Sequence, residues 1–354
     1  MNTPDRGEDE RRSALPETEP NSCAPDMSTG HNFNRNGPLR GTEHRGNFFR
    51  LLAVVGLLAV ALAVLVALSF PYDTDTPPSA EETAKAIEFY RRQYQAPGND
   101  RLTPGDEQYV KVNEESAREY HIREDLEAFV RQQGFQDKKA LEVGAGSGYL
   151  QDVMANYTGL DISPTAKRFF KKPYVLGSAT ALPFRDGEFD IVWSIWVLEH
   201  VPNPEQALRE MRRVVKPHGF IYLRPTWNCV AWSADGYDVR PYSDFGMEGK
   251  IIKASIPLRS SPTFHRTCAL PIRVLRTLSV WASNSPSTLH YRRLIPNYEK
   301  YWGPDSDAVG SIDSQEAYLW FASRGDECLD WPGLLASTFQ RVPDRPLIIL
   351  VKKQ

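Results

Sequence analysis

Three glycines alternate in Gly144-Ala145-Gly146-Ser147-Gly148, directly behind the apolar run that closes with Leu141-Glu142-Val143. Glycines placed after a strand let the backbone pass close to a ligand and aim the N–H groups that follow at it. A dinucleotide loop requires Gly-x-Gly-x-x-Gly, and counted from Gly144 the third required position is Tyr149. A triphosphate loop requires Gly-Lys followed by Ser or Thr, which this stretch lacks. What remains is a carboxylate ahead of the loop, Glu142, and a second, Asp161, at the end of the next apolar run, placed to accept both hydroxyls of a ribose. That combination suits a nucleoside ligand without a pyrophosphate. His200, preceded by Glu199 in the stretch 194–200, adds an imidazole whose ordinary pKa near 6.5 suits proton transfer at neutral pH.

These groups need a scaffold, and the pattern supplies one. Short apolar runs at 140–143, 158–162, 174–176, 189–194, 220–223 and 347–351 alternate with amphipathic stretches, which predicts an α/β fold, a doubly wound and mostly parallel sheet covered on both faces. Helices are expected over 81–94, over 106–133 with a stop at Gly134, and from the glycine loop to about 155. Asn203 is expected to cap a further helix with Pro204 at its first position and Leu208, Met211, Val214 and Val215 on one face, ending at Pro217 and Gly219. Ser311 or Asp313 is expected to cap another that ends at Gly325. Ligands in such sheets lie beyond the carboxyl ends of the strands, which makes 194–200 the expected reactive loop.

Four motifs now stand in order: LEVGAGSGYL, GLDIS, GSATALPFRDGEFDIVWSIWVLEHV and PNPEQALREMRRVVKPHGFIYL. Together they resemble the class I S-adenosylmethionine-dependent methyltransferases, specifically the type 11 methyltransferase domain family, over roughly 126–223. The resemblance implies S-adenosyl-L-methionine as cofactor, with Glu142, Gly144, Gly146 and Gly148 along its methionine and ribose, Asp161 on the ribose, and Ser178, Ala179 and Leu182 flanking the adenine. Ile162, Ser194 and Trp196 complete the expected cofactor shell. The family commonly carries Asp where this chain has Ser178, and Pro217-His218-Gly219 stands for its usual Pro-Gly-Gly turn. Methyl transfer from a sulfonium needs positioning, desolvation and deprotonation of the acceptor and no metal. His200 is the candidate base, with tethering of its own loop as the alternative role. Trp196 packs either on the cofactor or between helix and sheet.

The chain has 354 residues, a hydrophobic share of 41% and a net charge of −3, so it can bury a sizeable core and lacks the basic excess of a nucleic-acid binder. Residues 1–47 contain no Val, Ile, Trp or Tyr and are expected to be a disordered tail. Residues 51–70 read LLAVVGLLAVALAVLVALSF, uncharged and without proline, which predicts one membrane-spanning helix over 48–70. Arg35, Arg40, Arg45 and Arg50 precede it and only Lys85 follows nearby, so the charge rule puts the tail inside, whereas supply of cofactor favours a cytosolic catalytic domain. Residues 71–100 are expected to be a linker and the start of the N-terminal helices, and 101–354 the catalytic domain, with an insertion at about 229–310. Cys23, Cys229, Cys268 and Cys328 lie too far apart for a zinc or disulfide pattern and are expected as free thiols. The sequon Asn156-Tyr157-Thr158 is expected to be accidental.

Residues 249–297 carry Lys250, Lys253, Arg259, Arg266, Arg273, Arg276, Arg292 and Arg293 and no acid. They predict either recognition of an anionic acceptor or lipid head group, or a solvated face on packed helices whose core residues include Leu275 and Leu278. The function expected is a membrane-anchored methyltransferase acting on a small-molecule or lipid-like acceptor. A non-catalytic module that keeps the cofactor fold, and an exoplasmic glycan or polymer methyltransferase, are the alternatives.

Overall fold

The computed structural model describes residues 41–67, 79–94, 109–264, 270–298, 305–329 and 346–352. The tail 1–40, most of the linker, Cys23, Cys268 and Arg266 lie outside the described residues. The chain divides into two units, Met1–Val55 and Gly56–Gln354.

Helix α1 runs over Gly41–Ala67, so it starts within the segment expected to lack structure. Once nucleated by the apolar run, a helix extends at little cost into polar flanks. Its described side chains, at 47–61 and Val64, are all exposed. The expected span over 48–70 is not reproduced as such: 68–70 lie outside the described residues, and among those no helix is long and apolar enough to cross a membrane.

After α1 comes α2 (Ala80–Gln93), whose Ser79 forms a capping box with Glu82. The single helix expected over 106–133 is two, α3 (Tyr109–Glu119) and α4 (Ile122–Gln133), because His121 turns left-handed at φ 52°. The break frees the Tyr120 carbonyl, which accepts from the Arg224 guanidinium at 3.1 Å. Strand β1 (Lys139–Val143) then leads into the glycine loop and β2 (Asn156–Asp161) follows in parallel, Lys139 opposite Asn156.

The helix expected between these strands does not form; 149–155 are turns and bends. Seven helical residues rise only about 10 Å, too little to return the chain past a five-residue strand about 16 Å long and turn twice. The sequon Asn156 therefore opens a strand, with its amide donating to the Asp137 carbonyl at 2.8 Å.

Next come β3 (Tyr174–Leu176), β4 (Phe189–Ile195), α5 (Pro204–Val214) and β5 (Val215–Arg224). Asn203 caps α5 as expected, its side chain accepting from the Gln206 N–H at 3.1 Å. The expected turn at 217–219 is instead an irregularity inside β5, where the register slips between Phe189 opposite Val215 and Ile191 opposite Phe220. His218 takes a left-handed φ of 62° there and donates its N–H to the Val351 carbonyl at 2.8 Å.

The insertion contributes α6 (Met247–Arg259), a single turn α7 (Pro262–Phe264), α8 (Leu270–Ala282) and the hairpin partners β6 (Tyr291–Arg293) and β7 (Gly310–Ile312). Helix α9 (Ser314–Ala322), β8 (Glu327–Leu329) and β9 (Leu347–Leu350) complete the described chain. Asp313, not Ser311, caps α9, accepting from Gln315 N–H at 3.0 Å.

The main sheet has the order β3-β2-β1-β4-β5-β9-β8, parallel through β5 and antiparallel at β9 and β8. Alternation along each strand divides the core into two layers. Leu141, Val143, Val192, Ile221 and Leu223 face α5 and α9 through Leu208, Met211, Trp320 and Phe321. Ala140, Ile191, Trp193, Phe220 and Tyr222 face α4 through Ile122, Leu126, Phe129 and Val130. Each fully buried Val, Leu, Ile or Met among them contributes about 1.5–3 kcal/mol.

The insertion departs most from expectation. Leu275 and Leu278, expected in the core, are 68% and 52% exposed, and Trp281 is 78% exposed. The inward face of α8 is polar: Arg273 makes a two-pronged ion pair with Asp313 at 2.7–2.9 Å and Arg276 meets Glu316 at 3.0 Å. Two of the eight cations are thus neutralised by the acids of α9, which places these arginines neither on a solvated face nor in a substrate pocket.

Candidate functional site

The carboxyl ends of β1, β2 and β4 open onto one cavity of about 640 Å³. Gly144 and Gly146 line it with φ of 78° and 50°, conformations that a side chain rarely adopts. A Cβ at Gly144 would run into the Val197 side chain, and one at Gly146 would stand 2.8 Å from the Tyr94 hydroxyl, so a larger residue is strained at both positions.

Asp161 ends β2 and is 6% exposed. Its Oδ2 accepts from Gly146 N–H and its Oδ1 from Ser163 N–H, both at 2.8 Å. Burial raises its carboxyl above the ordinary value while the backbone donors pull it down. Each oxygen keeps a second lone pair, so the group can still accept ribose hydroxyls. Glu142 also lines the cavity, yet it receives the Tyr157 hydroxyl, and burial pushes it up to about 8. Ser178 holds its own turn, its Oγ 2.9 Å from Thr180 Oγ1 and accepting from Thr180 N–H at 3.2 Å. Ile162 and Ala179 complete this wall.

Three expected cofactor residues stand back from the cavity. Ser194 is buried and donates to the Val143 carbonyl at 3.0 Å, tying β4 to the root of the glycine loop. Leu182 is packed in the core. Gly148, at φ 70°, makes room for Gln151 and Phe170, which a Cβ would meet at 2.9 and 3.2 Å. None of the three is among the residues that line the cavity.

Trp196 lines the cavity with φ of 54°, an uncommon conformation for an aromatic residue, and meets Tyr120 edge to face at 6.1 Å. His200 follows on a 3₁₀ turn, Leu198–His200. Its Nδ1 lies 3.5 Å from Asp307 Oδ2 and its Nε2 lies 3.9 Å from Glu199 Oε1. Burial presses the imidazolium down, but Asp307, Glu199 and Asp305 outweigh it and hold His200 above the ordinary value. Glu199, 1% exposed, anchors the turn by accepting from Thr226 N–H at 3.0 Å. Ligand atoms of Glu199, His200 and Asp305 lie within 4.8 Å of one another, a grouping able to hold a cation that the sequence did not reveal.

Sequence reasoning also missed the roof. Tyr90, Tyr94 and Tyr109 line the cavity, and the Tyr90 hydroxyl donates to Asp307 Oδ2 at 2.9 Å. The spacing of Tyr90 and Tyr94, one helical turn apart on an amphipathic segment, was the available signal. Asp305 and Asp307 carried none, lying more than a hundred residues from His200 in the chain.

Residues 141–223 match the family model described as a methyltransferase domain. A ubiquinone biosynthesis O-methyltransferase of Pseudomonas aeruginosa is 34% identical over 105 residues, 25% of this chain and 45% of that protein. A phthiotriol/phenolphthiotriol dimycocerosates methyltransferase of Mycobacterium tuberculosis is 35% identical over 114 residues, 28% of this chain and 42% of that protein. The match thus spans less than half the length of either relative. Among solved structures, an S-adenosylmethionine-bound amino pentose methyltransferase from Micromonospora echinaspora aligns with 33% of this chain and 56% of its own at a TM-score of 0.29 and 18% identity.

Proposed function

We propose, from the premise that residues 141–223 are a class I S-adenosylmethionine-dependent methyltransferase domain, that this chain transfers a methyl group to a small-molecule or lipid-like acceptor held against His200. The observation that carries the reading is the convergence of Gly144, Gly146, Asp161, Ser178 and His200 on one cavity whose volume, about 640 Å³, falls within the ordinary range for ligand sites. The two relatives are named for ubiquinone biosynthesis and for phthiotriol and phenolphthiotriol dimycocerosates, and an acceptor of that small-molecule or lipid-like kind is the reading here.

S-adenosylmethionine supplies a methyl group on a sulfonium, a leaving group that needs no acid. Asp161 would hold the ribose hydroxyls, with Ser178 and Ala179 along the adenine and Glu142 beside the ribose. The open glycine positions leave space where side chains would block it. His200 in its neutral form takes the acceptor proton, and Asp307 orients the ring. Tyr90, Tyr94, Tyr109 and Trp196 keep water from the reacting atoms. Calorimetry on the full chain tests the cofactor half: S-adenosylhomocysteine should bind, and tighter binding of NAD would overturn the assignment. Turnover with small-molecule and lipid extracts separates an enzyme from a module that only binds.

The proposal also places α1 at a membrane. Support comes from its uncharged run and from exposed Leu51, Leu52, Val54, Val55, Leu57 and Leu58. The full chain should then stay with the membrane fraction through alkaline carbonate extraction, and its release would refute the attachment.

A further inference from the structure

Arg259, the last residue of α6, is 7% exposed. Its guanidinium lies over the Trp232 ring, 4.3 Å from the centroid, and among the described residues its Nε has no hydrogen-bond partner. Among the described residues no carboxylate pairs with it. Buried charges are ordinarily paired, because removal from water costs several kcal/mol per ion. Burial first, and then the positive charge of Arg292, hold Arg259 below its ordinary value, so its charged neighbour aggravates the deficit. The carbonyl end of α6 and the face of Trp232 offer partial negative charge, which steadies a cation without neutralising it.

We propose that Arg259, stacked on Trp232 and backed by Arg292, is a binding site for a phosphate-type oxyanion. A planar guanidinium with an unused donor suits a tetrahedral oxyanion, and a second cation close by would strengthen the hold. The face of α6 that adjoins Arg259 through Leu258 indicates the source of the anion. Met247, Ile251 and Leu258 are 75%, 66% and 55% exposed, and their spacing of four and seven residues puts them on one stripe. A helix that shows an apolar stripe to solvent and ends on an unpaired arginine fits a phospholipid, with acyl chains along the stripe and the head group at Arg259. A second copy of this chain is a poorer occupant, since its own insertion would bring like charge to like. The inference stands apart from the methyl-transfer reading and uses none of the cavity residues.

The test uses the full chain in two arms. In the first, melting is followed in sodium phosphate and in sodium chloride at equal ionic strength. Phosphate should raise the melting temperature of the natural chain above its value in chloride, Arg259→Met should lose that difference and Arg259→Lys should keep part of it. If Arg259→Met does not fold, Arg292→Gln must weaken the same response. In the second arm, flotation with phosphatidylcholine vesicles is compared with and without phosphatidylglycerol. A preference for phosphatidylglycerol that Arg259→Met abolishes identifies a lipid head group. A phosphate response lost in the variant without any vesicle preference identifies a free anion, and also supports the site. No phosphate response in the natural chain, or one that Arg259→Met retains, overturns it.

Discussion

Replacing His200 by glutamine should lower methyl transfer by about 100- to 10,000-fold while the cofactor still binds, the range over which a positioned general base acts. The residue lines the cavity on a short turn fixed by Glu199, with three acids around its ring. Because those acids outweigh burial and raise its pKa, the imidazole stays protonated to a higher pH than a free histidine would. A base must be neutral to accept a proton, so the rate should climb with pH and level off only above about 6.5, the ordinary value. The same shift favours the folded state below that pH, and this contribution is lost as the pH rises through the folded value. Asp307→Asn removes the first of the raising charges and should move the limb of the rate profile to lower pH. A His200→Gln variant as active as the natural chain, or a limb that ignores Asp307, would return His200 to a tether for its loop.

Asp161→Ala should weaken S-adenosylhomocysteine binding by about 10- to 150-fold, equivalent to about 1.5–3 kcal/mol for hydrogen bonds to a charged group. Two losses combine in that figure. The ribose hydroxyls lose their acceptor, and Gly146 and Ser163 lose the carboxylate that holds their N–H groups. Asp161→Asn keeps one acceptor oxygen and separates the two, since it can still brace one of those loops. Calorimetry with both variants reads the difference. Unchanged affinity in a folded Asp161→Ala protein would mean that the end of β2 does not meet the ribose.

The order of motifs determined the sheet and the position of the glycine loop, because strand identity and glycine conformation are local properties. Alternating burial follows from residue type, and positive φ at Gly144 and Gly146 follows from the absence of a Cβ. Asp161 was legible for the same reason, standing at the end of an apolar run. Tertiary structure decided everything that depends on distant partners. Ser194 ties β4 to the root of the loop, Leu182 is packed in the core and Gly148 makes room for Phe170, which only the packing of β4 on β1 and of Phe170 on the loop reveals. The short return from β1 to β2 left no length for a helix, a constraint set by the span of the strands and not by propensity. The charge on His200 depends on Asp305 and Asp307, brought to it by a hairpin from the insertion. The basic stretch reads as one feature in sequence, but its arginines part in space: Arg273 and Arg276 are neutralised by Asp313 and Glu316, while Arg259 is buried on Trp232 with no acid paired to it among the described residues. Composition counts charges, and only the fold assigns their counterions.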